Sequence, residues 1–167
     1  MTDQPLHSEF GFTDDEWSLL VNLPQAVLTA ASAAESDGTR RTMAENAAGL
    51  DAIGTGRESA SRLVATVAGE VVHRTGDPET GEELPVIQPD DPATMISDVL
   101  GRARAAAGLL TAKAHEGDAG AYKLWLVEIA EQVVSAASSG GFLGLGGDTV
   151  SESERRFRDE LSHVLND

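Results

Sequence analysis

Apolar residues recur along this chain at helical spacing, segment after segment, and the borders between segments carry start and stop signals. The first segment opens at Phe12-Thr13-Asp14-Asp15-Glu16-Trp17. Thr13 is placed to accept a bond from the Glu16 amide, and Glu16 to return one to the Thr13 amide. Phe12 and Trp17 stand at the two positions of a hydrophobic staple. The helix that follows sets Trp17, Leu20, Val21, Leu28 and Ala31 on one face, and Pro24 either kinks it or splits it near Asn22. After a turn at Ser36-Asp37-Gly38, Thr39 is placed to cap a weaker helix with Met43, Ala47 and Leu50 inward. Gly49, Gly54 and Gly56 blur its end. From about Arg57 to Arg74 the pattern is clearer, with Ala60, Val64, Val67, Ala68 and Val71 on one stripe. Asp91-Pro92 opens a long helix, aspartate as cap and proline at the first helical position. Ile96, Val99, Leu100, Ala103, Ala107 and Leu110 form its stripe, and Asp98 and Arg102 sit one turn apart as a surface pair.

Gly117 then acts as a stop and Asp118 as a cap. From Ala119 to Ser139 the apolar arc is wide, with Tyr122, Trp125, Leu126, Ile129, Val133, Val134 and Ala137 set against Glu128, Glu131, Gln132 and Ser135. A helix this apolar belongs at the centre of a bundle. Ser151-Glu152-Ser153-Glu154 reads as a second capping box, and Phe157, Leu161, Val164 and Leu165 as the inner face of a last helix. The predicted fold is all-α, a single-domain bundle of five to seven helices around residues 119–139. A flexible tail is expected at 1–11, a polar loop at about 75–90 and a Gly-rich loop at about 140–150. Leu20–Ala33 aligns with Leu126–Ser139 at six identities in fourteen, which is compatible with a duplicated helical unit.

Composition narrows the chemistry. The 167 residues suit one domain, and 41% of them are hydrophobic but only 4% aromatic. The core therefore falls to Ala, Leu and Val, and Ala-rich faces let helices come close. There is no cysteine, which removes disulfides, thiolate catalysis, iron–sulfur clusters and cysteine zinc sites. The acidic start lacks the basic and apolar regions of a signal peptide, and no run of about 18 apolar residues spans a membrane. A cytoplasmic protein is the expectation. The net charge of −16 argues against nucleic acid and anionic lipid as partners. Lys113 and Lys123 are the two lysines; arginine supplies the other cations. A GC-rich genome, a high-salt habitat and a basic partner all remain open as readings of this balance.

The sharpest candidate chemistry is a metal site. Glu70-Val71-Val72-His73 and Glu160-Leu161-Ser162-His163 are both Glu-x-x-His. Two such pairs, with a further glutamate from each of two other helices, build the di-iron centre of ferritin-like bundles. Glu35 or Glu45 precedes the first pair, and Glu128 or Glu131 the second. Helical geometry opposes the idea. At about 100° per residue, Glu70 lies about 90° and His73 about 160° from the apolar centre of their helix. Ligands must point inward, and these point outward. His115-Glu116-x-Asp118 reads more simply as a helix-end histidine beside solvated acids. The loop acids Asp77, Glu79, Glu82 and Glu83 do not follow the EF-hand pattern. No Gly-x-Ser-x-Gly elbow is present, and the four histidines are scattered. No cofactor is expected.

The Gly-rich loop joins two helices and lacks a phosphate-binding lysine, so it does not fit a P-loop. It carries Phe142, Leu143 and Leu145 among Gly141, Gly144 and Gly146. Those side chains either plug the bundle or form a flap or docking site for a partner. The stretch Gly140-Gly141-Phe142-Leu143-Gly144-Leu145-Gly146-Gly147, followed by Val150-Ser151-Glu152-x-Glu154, resembles the C-terminus of an uncharacterised group of small, helical, Ala-rich bacterial proteins. The Phe12-Thr13-x-x-Glu16-Trp17 start is similar to theirs. The resemblance implies an all-helical, bacterial, single-domain protein and brings no activity and no functional residue with it. The leading functional expectation is a non-enzymatic protein acting by association with itself or with a protein partner. The alternative is a small-ligand or metal-binding protein, enzymatic or not, with an internal pocket or acidic and histidine clusters.

Overall fold

The computed structural model describes residues 6–34, 39–75, 91–139 and 152–166. These form six α-helices: α1 (Asp14–Ala33), α2 (Thr39–Thr55), α3 (Arg62–Thr75), α4 (Pro92–Lys113), α5 (Glu116–Ser139) and α6 (Glu152–Asn166). Two 3₁₀ turns, Leu6–Phe10 and Gly56–Glu58, precede α1 and α3, and there is no strand among the described residues. The fold is all-α, as the periodicity predicts, and α5 packs against each of the other five helices. Tyr122, Leu126, Ile129 and Ala130 of α5 are fully buried.

The start of α1 follows its capping box. The Thr13 amide donates to Glu16 Oε2 at 2.8 Å, and the Glu16 amide donates to Thr13 Oγ1 at 3.3 Å. Trp17 lies within ring-contact distance of His7, Phe10 and Phe12, with the Phe10 ring stacked on it at 5.9 Å. Within the span 1–11 expected as a tail, the chain from Leu6 onward turns and docks against Trp17. Gly11 closes the turn with φ +79°, a conformation that favours glycine.

Pro24 neither splits α1 nor ends it; the helix runs unbroken from Asp14 to Ala33 with Pro24 buried inside. A proline has no amide to offer the carbonyl four residues earlier, which here belongs to Leu20. The Tyr122 hydroxyl supplies the donor, bonding Leu20 O at 2.7 Å in a fully buried position. Burial also pushes the Tyr122 pKa well up.

The inner face of α2 differs from the prediction. Met43 is 61% exposed and Ala47 is exposed, while Glu45, Gly49 and Ile53 turn inward. Ser32 Oγ of α1 donates to Glu45 Oε2 at 2.6 Å. The chain then breaks at Ser59–Ser61, so α3 begins at Arg62 and Ala60 is exposed; Ser61 Oγ accepts from the Val64 amide at 3.3 Å. Val64, Val67, Ala68 and Val71 are buried as expected. Asp91 caps α4 through the Ala93 amide, with Pro92 behind it. α5 begins at Glu116, so Gly117 and Asp118 lie in its first turn, and Asp118 accepts from Ser61 Oγ at 2.7 Å instead of capping. Phe157, Leu161, Val164 and Leu165 of α6 are buried.

Candidate functional site

The loop residues Gly141, Phe142, Leu143, Gly144, Leu145 and Gly146 lie outside the described residues, as do the polar loop at 76–90, Glu35 and Ser151 of the second capping box. The Glu-x-x-His residues are placed. Glu70 is held in an ion pair with Arg74 at 2.9 Å, and His73 is exposed on the same outer side of α3. Glu160 and His163 are exposed on α6. Glu128 and Glu131 are exposed on α5, and Glu45 is turned into the α1–α2 contact. Among the described residues, no group of three or more histidines and acids comes together that could hold a metal ion.

A second cluster lies where the N-terminal turn meets the α4–α5 junction. A small cavity of about 100 Å³ is lined by Glu9, Phe10, Phe12, Lys113, His115 and Asp118, among others. Most of its charged groups are committed. Glu9 pairs with Arg62 at 2.6 Å, Lys113 pairs with Glu16 at 2.7 Å, and Asp118 holds Ser61. The Lys113 ammonium, and behind it the Thr13 amide, hold the Glu16 carboxyl below its usual pKa. This cluster clasps the N-terminal turn to the bundle.

The third feature is a groove between α4 and α6. At one end Ala93 and Ile96 face Ser153, Arg156 and Phe157; at the other Leu100, Gly101 and Arg104 face Glu160, His163 and Val164. That pairing makes the two helices run parallel. Ile96 and Leu100 are half-buried along it, with the core residues Phe157 and Val164 beneath them. Gly101 is exposed, and a β-carbon built on it would meet nothing within 4 Å, as at Gly69, Gly108, Gly117 and Gly120. Arg104, Arg155 and Arg156 stand on the walls with the acids Glu152, Asp159 and Glu160. Of the described cations, Arg62, Arg74, Arg102, Lys113 and Arg158 have ion-pair partners. Arg104, Arg155, Arg156 and Lys123 have none among the described residues, in a chain where acids outnumber lysines and arginines 28 to 12.

The prediction missed this groove. Its sequence signal was the Arg155-Arg156 pair on a short helix of an acidic chain. No family model, curated protein or solved structure matches the chain. No helix of the described residues is long and apolar enough to cross a membrane.

Proposed function

We propose that this is a non-enzymatic cytoplasmic protein that works by binding another polypeptide, and that the α4–α6 groove is its binding face. The supporting observation is the coincidence of half-buried Ile96 and Leu100 with three arginines that have no ion-pair partner among the described residues. Arginine is enriched where proteins meet, since its planar fork binds carboxylates in pairs and its stem covers apolar surface. Groove walls are also better preorganised than a loop, because both lie on helices fixed by the core.

Native mass spectrometry on protein purified without chelator tests this reading against ligand chemistry. The expected spectrum is the bare chain, single or multiple, with no added mass. A stoichiometric metal or small molecule would replace association with ligand binding as the function.

A further inference from the structure

We infer that the N-terminal turn, Leu6–Phe10, is a detachable strap. It leaves its seat while the six helices stay folded, and the seat it bares accepts an aromatic side chain with an acid beside it. The seat shares no lining residue with the α4–α6 groove, and its opening does not depend on what the groove binds.

Burial shows how lightly the turn is held. His7 and Phe10 are half-buried, and Ser8 and Glu9 are exposed. Even α3, the shortest helix, buries Leu63, Val64, Val67, Ala68 and Val71. The attachments of the turn include the Phe10 ring stacked on Trp17 and the pairs Glu9–Arg62 and His7–Asp14. The Arg62 side chain is 75% and that of Asp14 89% exposed, so water and salt reach both pairs. Segments with few buried apolar contacts open locally at a free energy below that of global unfolding.

The hinge is Gly11. Its φ of +79° suits glycine, and nothing stands within 4 Å of a β-carbon built on it. One residue later Phe12 is buried, and Thr13 closes the α1 capping box, so the motion ends there. The cavity of about 100 Å³ lies between Phe10 and the body residues Phe12, Leu63 and Ala114. The turn therefore meets the body over unfilled space, which forfeits dispersion contacts. Lifting it bares the Trp17 face and Leu63, and frees the Arg62 guanidinium from Glu9. The closed state shows what the seat takes: a ring against Trp17 and a carboxylate on Arg62. A partner segment with an acid followed by an aromatic residue competes for that seat, and the tethered strap keeps it out at an effective concentration of about millimolar.

Native-state thiol labelling on the full chain tests this, because the chain has no cysteine of its own. Leu63→Cys puts a thiol under the strap. Val67→Cys puts one on the same helix but off the cavity lining, and Leu126→Cys one in the core of α5. An aromatic disulfide reagent should label Leu63→Cys at least about a hundredfold faster than either of the others. Molar salt screens the surface pairs and should raise the Leu63→Cys rate relative to the Val67→Cys rate about threefold or more. Phe10→Ala should speed Leu63→Cys labelling about tenfold, with the helical circular dichroism unchanged. In the chain carrying both Phe10→Ala and Leu63→Cys, a blocked peptide of residues Leu6–Phe12 at about 5 mM should slow labelling at least about threefold. A twin peptide with alanine in place of Phe10 should not. Similar rates for Leu63→Cys and Leu126→Cys would mean that the strap does not detach, and similar rates for Leu63→Cys and Val67→Cys that α3 opens instead; either overturns the inference. So does a peptide that fails to protect, since the seat then accepts no outside segment.

Discussion

Two glycine-bearing regions of this bundle, α2 with the turn after it and α4, differ in what lies over the glycines. On the α2 side, a β-carbon at Gly49 would come within 2.5 Å of Leu28 and 2.8 Å of Val133, and one at Gly56 within 2.7 Å of the Trp125 ring. On α4, a β-carbon at Gly101 or Gly108 would meet nothing within 4 Å. In a helix interior each glycine costs about 0.5–1 kcal/mol relative to alanine. At the α2–α5 seam that cost is offset by burial, because the missing β-carbons let Leu28, Val133 and Trp125 lie directly on the backbone. On α4 the isolated chain recovers nothing. A helix glycine is therefore informative through what lies over it: in one region the chain's own side chains do, in the other the space is open.

The largest effect should come from closing the seam. Gly56→Ala drives a methyl group into Trp125, whose indole cannot yield easily because its Nε1 donates to Ala52 O at 3.2 Å. We expect a loss of about 1–3 kcal/mol in chemical denaturation, the usual cost of overpacking. An unchanged midpoint would mean the seam is looser than drawn. Tyr122→Phe comes next. It leaves the buried Leu20 carbonyl without its donor, at about 1–2 kcal/mol. Pro24→Ala in the same chain should recover much of that loss, because it returns the backbone amide that Leu20 lacks. A double variant as weak as Tyr122→Phe alone would show that the hydroxyl matters for some other reason. Gly101→Ala should act in the opposite direction, raising stability by about 0.5–1 kcal/mol, since the added methyl meets open space. A loss there would show that a neighbour lies over Gly101 after all, and the contrast between the two regions would collapse.

The parts of the fold that were legible are those whose signals are local. The α1 capping box, the Asp91-Pro92 start of α4 and the wide apolar arc of α5 all act within a few residues, and all are present. The inner face of α2 was not legible because it is built from Glu45, Gly49 and Ile53, and apolar spacing alone puts Met43 inward instead. Pro24 looked like a break because the donor that rescues Leu20 lies 102 positions away in the chain. The docked turn at Leu6–Phe10 depends on the Phe10 stack on Trp17, which no spacing rule encodes. The outward placement of both Glu-x-x-His pairs followed from helical geometry alone. The groove did not, since two arginines in sequence say nothing of which helix they face or whether an acid answers them.

The smallest effect is acid sensitivity, and it separates the clasp at the N-terminal turn from the α2–α5 seam. Glu16 has its pKa lowered, first by the Lys113 ammonium and then by the Thr13 amide. A carboxyl with a depressed folded pKa contributes stability above its ordinary value, here 4.5, and loses it as pH falls through the lower folded value. Asp91 behaves alike, held down by the Thr94 hydroxyl and the amides of the first α4 turn. Both groups are at the surface, so acid should fray two helix starts before it unfolds the bundle. Hydrogen exchange below pH 4.5 should show faster amides at Trp17 and Met95 while those of Ile129 and Val133 stay protected. Lys113→Met should bring the Trp17 change on at neutral pH and leave Met95 alone, because only the first clasp uses that ammonium. Exchange that accelerates uniformly along α1, α4 and α5 would mean that the clasp and the seam are one cooperative unit.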